Sequence, residues 1–295
     1  MSNPVFNRID EQSRRGYAGF GDNRSTQYYG SPQTSQGYPQ DHQSAGRTNM
    51  SAGQLDDLYN SPSASPTQSR RLTLDDVMMK SGLLFGLMLV VAGITWTAGL
   101  TINLGIAGLA SITGAIVTLV LGMVISFKKT VSPPLILLFT VFEGLMVGGI
   151  SATFMVRFDG VVTTAVIATL CVFATMFLGW KTKLIRVTER SRRIVGMAIV
   201  GYMLFMLVNF VAALFGMNQG WGVFGLGSGM SILVSVFAVG LASYSLAMDF
   251  DSIEKAIQAG APEKYSWMLA FGLLVTVVWL YIELLRLFAN LQSRD

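Results

Sequence analysis

The sequence predicts an all-α integral membrane protein, with a bundle of seven transmembrane helices behind a disordered N-terminal tail. Charged residues make up 13% of the 295 residues, against about 25% in an average soluble domain. Apolar residues make up 52%, and the mean hydropathy is +0.51. The charges cluster in short segments, and the stretches between them lack the polar stripe of a soluble helix.

This composition excludes a water-soluble globular enzyme, a coiled coil and a chain that is disordered throughout. The net charge of +4 is too small over this length for a nucleic-acid-binding protein, despite a pI near 9.2. The single cysteine, Cys171, excludes a disulfide framework and a cysteine-based metal site.

Residues 1–68 form a polar segment rich in Ser, Gln, Asn, Gly and Pro. A segment of this kind buries too little apolar surface to offset chain entropy, so it is predicted to be a disordered cytosolic tail. It has no apolar core of a signal peptide. Two interpretations remain open: a solvated tail, or a Tyr- and Gln-rich segment that recruits a membrane-protein partner.

Residues 69–295 form the predicted transmembrane domain. Its charge-poor runs are each long enough for a membrane helix of about 20 residues. The turn between the first two helices is placed at Thr101–Leu104, and residues 218–229 separate the fifth helix from the sixth. The predicted spans are about 80–100, 105–127, 133–156, 160–180, 194–217, 228–250 and 267–289.

The basic residues lie mostly on one side of this topology. That side carries the end of the tail and the loops at 127–132, 181–193 and 251–264, whereas Arg157, Arg286 and Arg294 fall towards the other. The positive-inside rule places the N-terminus in the cytoplasm and the C-terminus outside, in the plasma (inner) membrane. The basic 181–193 loop is interpreted as topogenic and facing lipid headgroups, not nucleic acid.

Three acidic residues fall within the predicted spans: Glu143, Asp249 and Glu283. An ionisable group at membrane depth is costly, which makes each a candidate functional residue. Two carboxylates in one dry site cannot both ionise cheaply, so one of them would hold a proton. At higher pH, their oxygens would suit a hard cation such as Ca²⁺.

A structural interpretation stands beside each of these candidates. In the structural alternative, Asp249 is a solvated residue at the membrane interface, beside Asp251 and Glu254. Glu283 forms a helix ion pair with Arg286 at i+3, and Glu143 donates or accepts a hydrogen bond that joins two helices.

Catalytic alternatives lack the residues they need, so the chain is expected not to be an enzyme. The single histidine, His42, lies in the tail, which excludes a Ser–His intramembrane protease and His-ligated haem or zinc. Span seven has no lysine for a retinal Schiff base, and no phosphate-binding glycine motif precedes a helix. The Gly82–Gly86 and Gly144–Gly148 pairs predict small-residue packing faces.

Three segments resemble the Bax-inhibitor family, which comprises the transmembrane Bax-inhibitor-motif proteins and their bacterial YccA-like members. They are SYSLAMDFDSIEKAI at 243–257, LYIELLRLFANL at 280–291, and FEGLMVGGIS at 142–151 after an SPP-containing loop. The resemblance covers about residues 75–292. It implies a seven-helix bundle with the last helix central. From the residues present, no cofactor is expected, and Ca²⁺ is considered only as a transported ion.

The resemblance also implies a pH-sensitive calcium leak that is gated by a carboxylate pair on the last two helices. By position, Asp249 and Glu283 take these roles and are the candidate Ca²⁺ ligands. Glu143 is a further gating or ion-binding candidate because of its place within a predicted span, and not from the resemblance. Lys128 or Lys129 would be the basic partner of the pair. The second carboxylate is usually Asp in the family, and here it is Glu.

Chain geometry sets a condition on this carboxylate pair. Counted from the turn between the last two helices, the two carboxylates differ in depth by about 13 Å. A kink, a tilt or a surface segment at 251–266 must absorb that difference. The alternative function is a non-transporting regulator, which binds a membrane protease or another partner through the tail.

Overall fold

The computed structural model describes residues 70–128, 130–214 and 228–293. These residues form seven long helices, all apolar and long enough to cross a membrane. They are α1 (Leu74–Thr101), α2 (Leu104–Phe127), α3 (Pro133–Arg157), α4 (Val161–Lys181), α5 (Glu189–Leu214), α6 (Gly229–Gln258) and α7 (Ser266–Gln292), with a 3₁₀ turn at Glu263–Tyr265 before α7.

The predicted seven-helix membrane architecture is therefore confirmed. The main differences lie at helix ends: α1 begins at Leu74, in the charged residues that precede the first apolar run, and α6 continues to Gln258, through the charged residues that follow the sixth. The predicted disordered tail at 1–68 and most of the predicted break at 218–229 lie outside the described residues.

Local sequence signals explain where the helices start. At α1, Thr73 and Asp76 form a reciprocal capping box. At α2, the Asn103 side chain accepts a 2.7 Å hydrogen bond from the Gly105 amide, which confirms the predicted turn at Thr101–Leu104. Pro133 occupies the first position of α3, where its missing N–H costs nothing.

Helix α7 lies at the centre of the bundle and packs against α1, α3, α4 and α6. Of its apolar span, 61% is buried, against 17% for α2. Leu273, Leu274, Leu280 and Leu285 are fully buried. The central position that the family resemblance implies for the last helix is confirmed, and residues on α7 can contact several helices at once.

Glycines bring α3 close to its neighbours. A Cβ added at Gly148 would lie 2.3 Å from the Ala92 carbonyl oxygen of α1, and one at Gly144 would lie 2.8 Å from that of Met88. The packing face predicted from these two glycines is confirmed. In contrast, a Cβ at Gly82 or Gly86 would meet no atom within 4 Å, so the same prediction for that pair is wrong.

The segment before α1 is attached to the connection between α6 and α7. Arg71 and Pro262 form an antiparallel bridge, and Glu263 donates a 2.9 Å backbone hydrogen bond to the Arg70 carbonyl. Leu72 is buried in a small core with Phe250, Tyr265 and other residues of α6 and α7. We call the pairing of residues 70–73 with 261–263 the clasp, and the end of the bundle that carries it the basic end.

Candidate functional site on the last two helices

Of the three acidic residues within the predicted spans, Glu283 makes the most side-chain hydrogen bonds. Its side chain is buried in α7, at 2% exposure. Tyr202 of α5 donates a 2.5 Å hydrogen bond to Oε1, and Trp279, one turn earlier on α7, donates a 3.2 Å bond to the same oxygen. Two donors from two helices therefore fix the orientation of the Glu283 carboxylate.

The other oxygen of Glu283 has a different environment. Nη1 of Arg286 lies 3.9 Å from Oε2, which is at the outer limit of an ion pair. Oε2 is buried and makes no hydrogen bond. Arg286 instead donates a 3.3 Å bond to the Tyr202 hydroxyl. The i+3 ion pair of the structural interpretation is present, within a larger network that also includes α5.

Asp249 lies on α6, nine residues before the end of that helix. The Thr276 hydroxyl of α7 lies near its carboxylate but donates its hydrogen bond to the Gly272 carbonyl at 3.1 Å. Arg192 of α5 acts on the carboxylate electrostatically. Oδ2 of Asp249 is buried without a hydrogen-bond partner. The neighbouring Asp251 forms ion pairs with Arg192 and with Lys255, so the two aspartates differ: Asp251 is paired, and Asp249 retains one unsatisfied oxygen.

The structure does not join Asp249 and Glu283 by a hydrogen bond. Thr276, which faces Asp249, precedes Glu283 by seven residues on the same helix, or about 10 Å along the axis. The difference in depth that chain geometry anticipated is retained, because α6 continues as helix to Gln258 and only a short connection with a 3₁₀ turn precedes α7. Each carboxylate has its own set of partners in this arrangement.

Glu143 lies on α3 and is buried at 4% exposure. Within the described part of the chain, it makes no hydrogen bond and no ion pair. Among the residues that the structure describes, the hydrogen bond that the structural interpretation gives to Glu143 is not present. Its role in gating or ion binding remains a prediction.

The two predicted basic partners lie on the α2–α3 connection. Lys128 is the C-cap of α2 and donates its backbone N–H to the Val124 carbonyl, whereas Lys129 lies outside the described residues. The basic side chain that interacts with Asp249 is Arg192. From the sequence, Arg192 falls in the topogenic 181–193 loop, because counting charges in a loop does not show that one side chain turns inward.

Tyr202 and Thr276 were also missed by sequence analysis. Tyr202 is buried at 5% exposure in a helix whose sequence is apolar on all sides, and hydropathy alone does not show which face of such a helix meets the bundle. The seven-residue spacing of Thr276, Glu283 and Asn290 on α7 was the available signal. Asn290 continues this stripe with buried hydrogen bonds to Ser231 and Ser235 of α6.

Metal binding by these residues would need oxygens beyond the carboxylates. In the described ranges, no group of three or more His, Cys, Asp and Glu side chains is placed to hold a metal ion, whereas Ca²⁺ takes six to eight oxygen ligands. Each of the two carboxylates offers one buried oxygen without a hydrogen-bond donor, Oδ2 of Asp249 and Oε2 of Glu283.

The seven apolar helices of the described part of the chain, with carboxylates buried on the last two, make this a multi-pass integral membrane protein. The sequence model of the family described as "Bax inhibitor 1 like" matches residues 3–293. The chain belongs to this family, which confirms the resemblance. The match begins at residue 3 and so includes the tail, beyond the 75–292 that the motifs covered. No curated protein matches the chain.

Proposed function

We propose that this protein is a pH-sensitive cation leak, with calcium as the ion to test. The observation that supports it most directly is a buried carboxylate oxygen without a hydrogen-bond donor on each of α6 and α7, Oδ2 of Asp249 and Oε2 of Glu283. An unsatisfied carboxylate oxygen in a dry interior is expensive. It is relieved by a proton or by a cation, and these two compete for the same site.

This competition gives the direction of the pH response. At low pH, protons occupy the carboxylates, and the proton-sharing arrangement of Asp249 and Glu283 keeps the path closed. At higher pH, both groups ionise, repel each other and attract cations. The leak therefore rises with pH. Because the two carboxylates lie about 10 Å apart along the α7 axis, sharing one proton requires α6 to move along α7, and we take this movement to be the gate.

Orientation follows from the charge distribution. We place the basic end, with the tail and the clasp, in the cytoplasm and the C-terminus outside the plasma (inner) membrane. The basic residues on and beside the α4–α5 connection are exposed there and suit the anionic lipid surface of a cytoplasmic leaflet; they include Lys181, Lys183, Arg186 and Arg190.

The test is calcium flux into proteoliposomes that contain the full chain, measured across a pH range. We expect flux to rise with pH in the wild type. Asp249→Asn and Glu283→Gln, alone and together, should weaken that pH response, and Glu143→Gln tests the third carboxylate. Asp159→Asn is the control, since Asp159 is exposed. Unchanged flux and pH response in the double variant would sink the carboxylate gate.

A second candidate function is a non-transporting regulator that binds a membrane-protein partner through residues 1–68. The clasp favours this alternative, because it attaches the segment that follows the tail to the α6–α7 connection through a 2.8 Å hydrogen bond from the Leu72 amide to the Ala261 carbonyl. A partner that pulled on the tail would act directly on the two helices that carry Asp249 and Glu283.

Deletion of residues 1–68 separates the two functions. A regulator loses its partner in a pull-down after this deletion, whereas a leak keeps its calcium flux in proteoliposomes. Flux that disappears while the partner remains bound would contradict both assignments of the tail.

A further inference from the structure

Helix α5 is attached to the bundle differently from the other helices. Only 6% of its apolar span is buried. A Cβ at either of its glycines, Gly196 or Gly201, would meet nothing within 4 Å, in contrast with the glycines of α3. Its outward side exposes large apolar residues that include Met197, Val200, Leu204, Leu207 and Val208. Tyr202 packs in a small apolar cluster with Ala238 and Leu241 of α6, so close packing contributes less to the position of α5 than to that of α3, whose span is 56% buried.

Polar contacts hold the beginning of α5 against α6. Arg192 forms an ion pair with Asp251 and donates a 3.1 Å hydrogen bond to Ser252. The Tyr244 hydroxyl donates a 2.6 Å bond to Ser191. These contacts all lie within the first turn of α5, at the basic end, and they fix that end of the helix.

Farther along α5, its polar contacts to other helices in the described structure centre on one residue, Tyr202. The phenol donates to Glu283 and accepts from Arg286, while its ring lies 6.0 Å from that of Trp279. Met206 adds a 3.6 Å contact from its sulfur to Arg286. Since helices in lipid associate through packing and hydrogen bonds and not through the hydrophobic effect, a loosely packed helix depends strongly on such contacts.

We propose that Tyr202 is a positioning residue of the Glu283 site, which holds the outer half of α5 against α7, and that α5 swings away from α7 when this contact breaks. The swing exposes Glu283 along the side that Tyr202 covers. The proposal rests on the proposed function for its consequence, a leak, but the movement itself is independent of which ion passes.

Spin labels measure the movement directly. Leu207 of α5 and Leu291 of α7 are both exposed and are replaced by Cys for labelling in a Cys171→Ser background. Tyr202→Phe removes the hydroxyl and keeps the ring. We expect it to widen the distance distribution between the labels. If the Tyr202→Phe protein has the same distance distribution as the labelled protein that retains Tyr202, the proposal is overturned.

Tyr281→Phe is the matched control. Tyr281 is also a buried phenol, two residues from Glu283, but its hydroxyl pairs with Ser151 of α3 at 2.7 Å. Loss of this hydroxyl should leave the label distance unchanged. Equal widening in both variants would show general loosening of the bundle and overturn the assignment to Tyr202.

The acceptor gives a second, independent variant in case Tyr202→Phe fails to fold. Glu283→Leu removes the oxygen that accepts the Tyr202 hydrogen bond and should widen the label distance as Tyr202→Phe does. Glu283→Gln keeps an oxygen at that position and should not. A narrow distribution in Glu283→Leu contradicts the proposal.

Calcium flux at one fixed pH then links the movement to the leak. A net hydrogen bond corresponds to a change of about two- to tenfold in an equilibrium, so Tyr202→Phe should raise flux by that factor and Tyr281→Phe should not. A wider label distance without calcium flux in any variant supports the role of Tyr202 and counts against the leak. Flux in the wild type with no change in Tyr202→Phe supports the leak and overturns the role of Tyr202.

Discussion

The backbone amide of Leu72 donates a 2.8 Å hydrogen bond to the carbonyl of Ala261, although 189 positions separate the two residues. This pairing places the segment before the first membrane helix against the turn before the last one. Both side chains are buried, at 2% and 0% exposure. The clasp therefore belongs to the folded core of the basic end, and its contribution can be measured.

We expect Leu72→Ala to destabilise the protein by about 2–4 kcal/mol, because it removes a buried side chain from a core that cannot fully collapse. Thermal unfolding in detergent is the measurement. Leu184→Ala is the matched control, since Leu184 is 84% exposed on the α4–α5 connection, and its melting temperature should remain that of the wild type. If Leu72→Ala has the same melting temperature as Leu184→Ala, the clasp contributes little to stability.

Arg192 provides a second test, on the attachment of α5. Its ion pair with Asp251 is largely buried, with side-chain exposures of 14% and 19%. Arg192→Gln should cost about 1–3 kcal/mol, since it leaves Asp251 with Lys255 alone and removes the electrostatic partner of Asp249.

Glu189→Gln is the control for Arg192. Glu189 pairs with Lys255, but their side chains are 71% and 50% exposed, so losing that contact should have little effect. Denaturation of both variants in one detergent compares them directly. Equal stability of the two proteins would show that burial does not strengthen the contact of Arg192.

The sequence predicted the membrane spans because charge-free length is a property of the chain alone. Contacts within the site depend on how each helix is rotated about its axis, and a helix that is apolar on all sides carries little information on that rotation. The sequence therefore identified Asp249 and Glu283 as candidates but not Thr276, Arg192 or Tyr202 as their partners.

The glycine pairs illustrate the same limit. Gly82–Gly86 and Gly144–Gly148 have the same spacing, and both predict a packing face. Only the second pair meets a neighbouring helix. Spacing identifies a surface that allows close approach, whereas tertiary structure decides whether another helix lies against it.

Gly148→Ala tests that close approach. A Cβ there would lie 2.3 Å from the backbone oxygen of Ala92 and 2.9 Å from its Cα, and backbone atoms cannot rotate away. The clash should cost about 1–3 kcal/mol, which exceeds the gain in helix propensity. Gly82→Ala is the control, because its Cβ meets open space and alanine favours the helix by about 0.5–1 kcal/mol. Melting temperatures that move in the same direction for both variants would contradict the packing of α3 on α1.

Topology is tested by accessibility of single cysteines in intact cells. Lys183 lies on the α4–α5 connection and Asp159 on the α3–α4 connection, and both are exposed. In a Cys171→Ser background, we expect Asp159→Cys to react with a membrane-impermeant maleimide from outside, and Lys183→Cys to react only after the membrane is permeabilised. The physical reason is the excess of Lys and Arg at the basic end, which the positive-inside rule retains in the cytoplasm. The reverse labelling pattern would place the clasp and the tail outside, and a regulator that acts through a cytosolic tail would then be excluded.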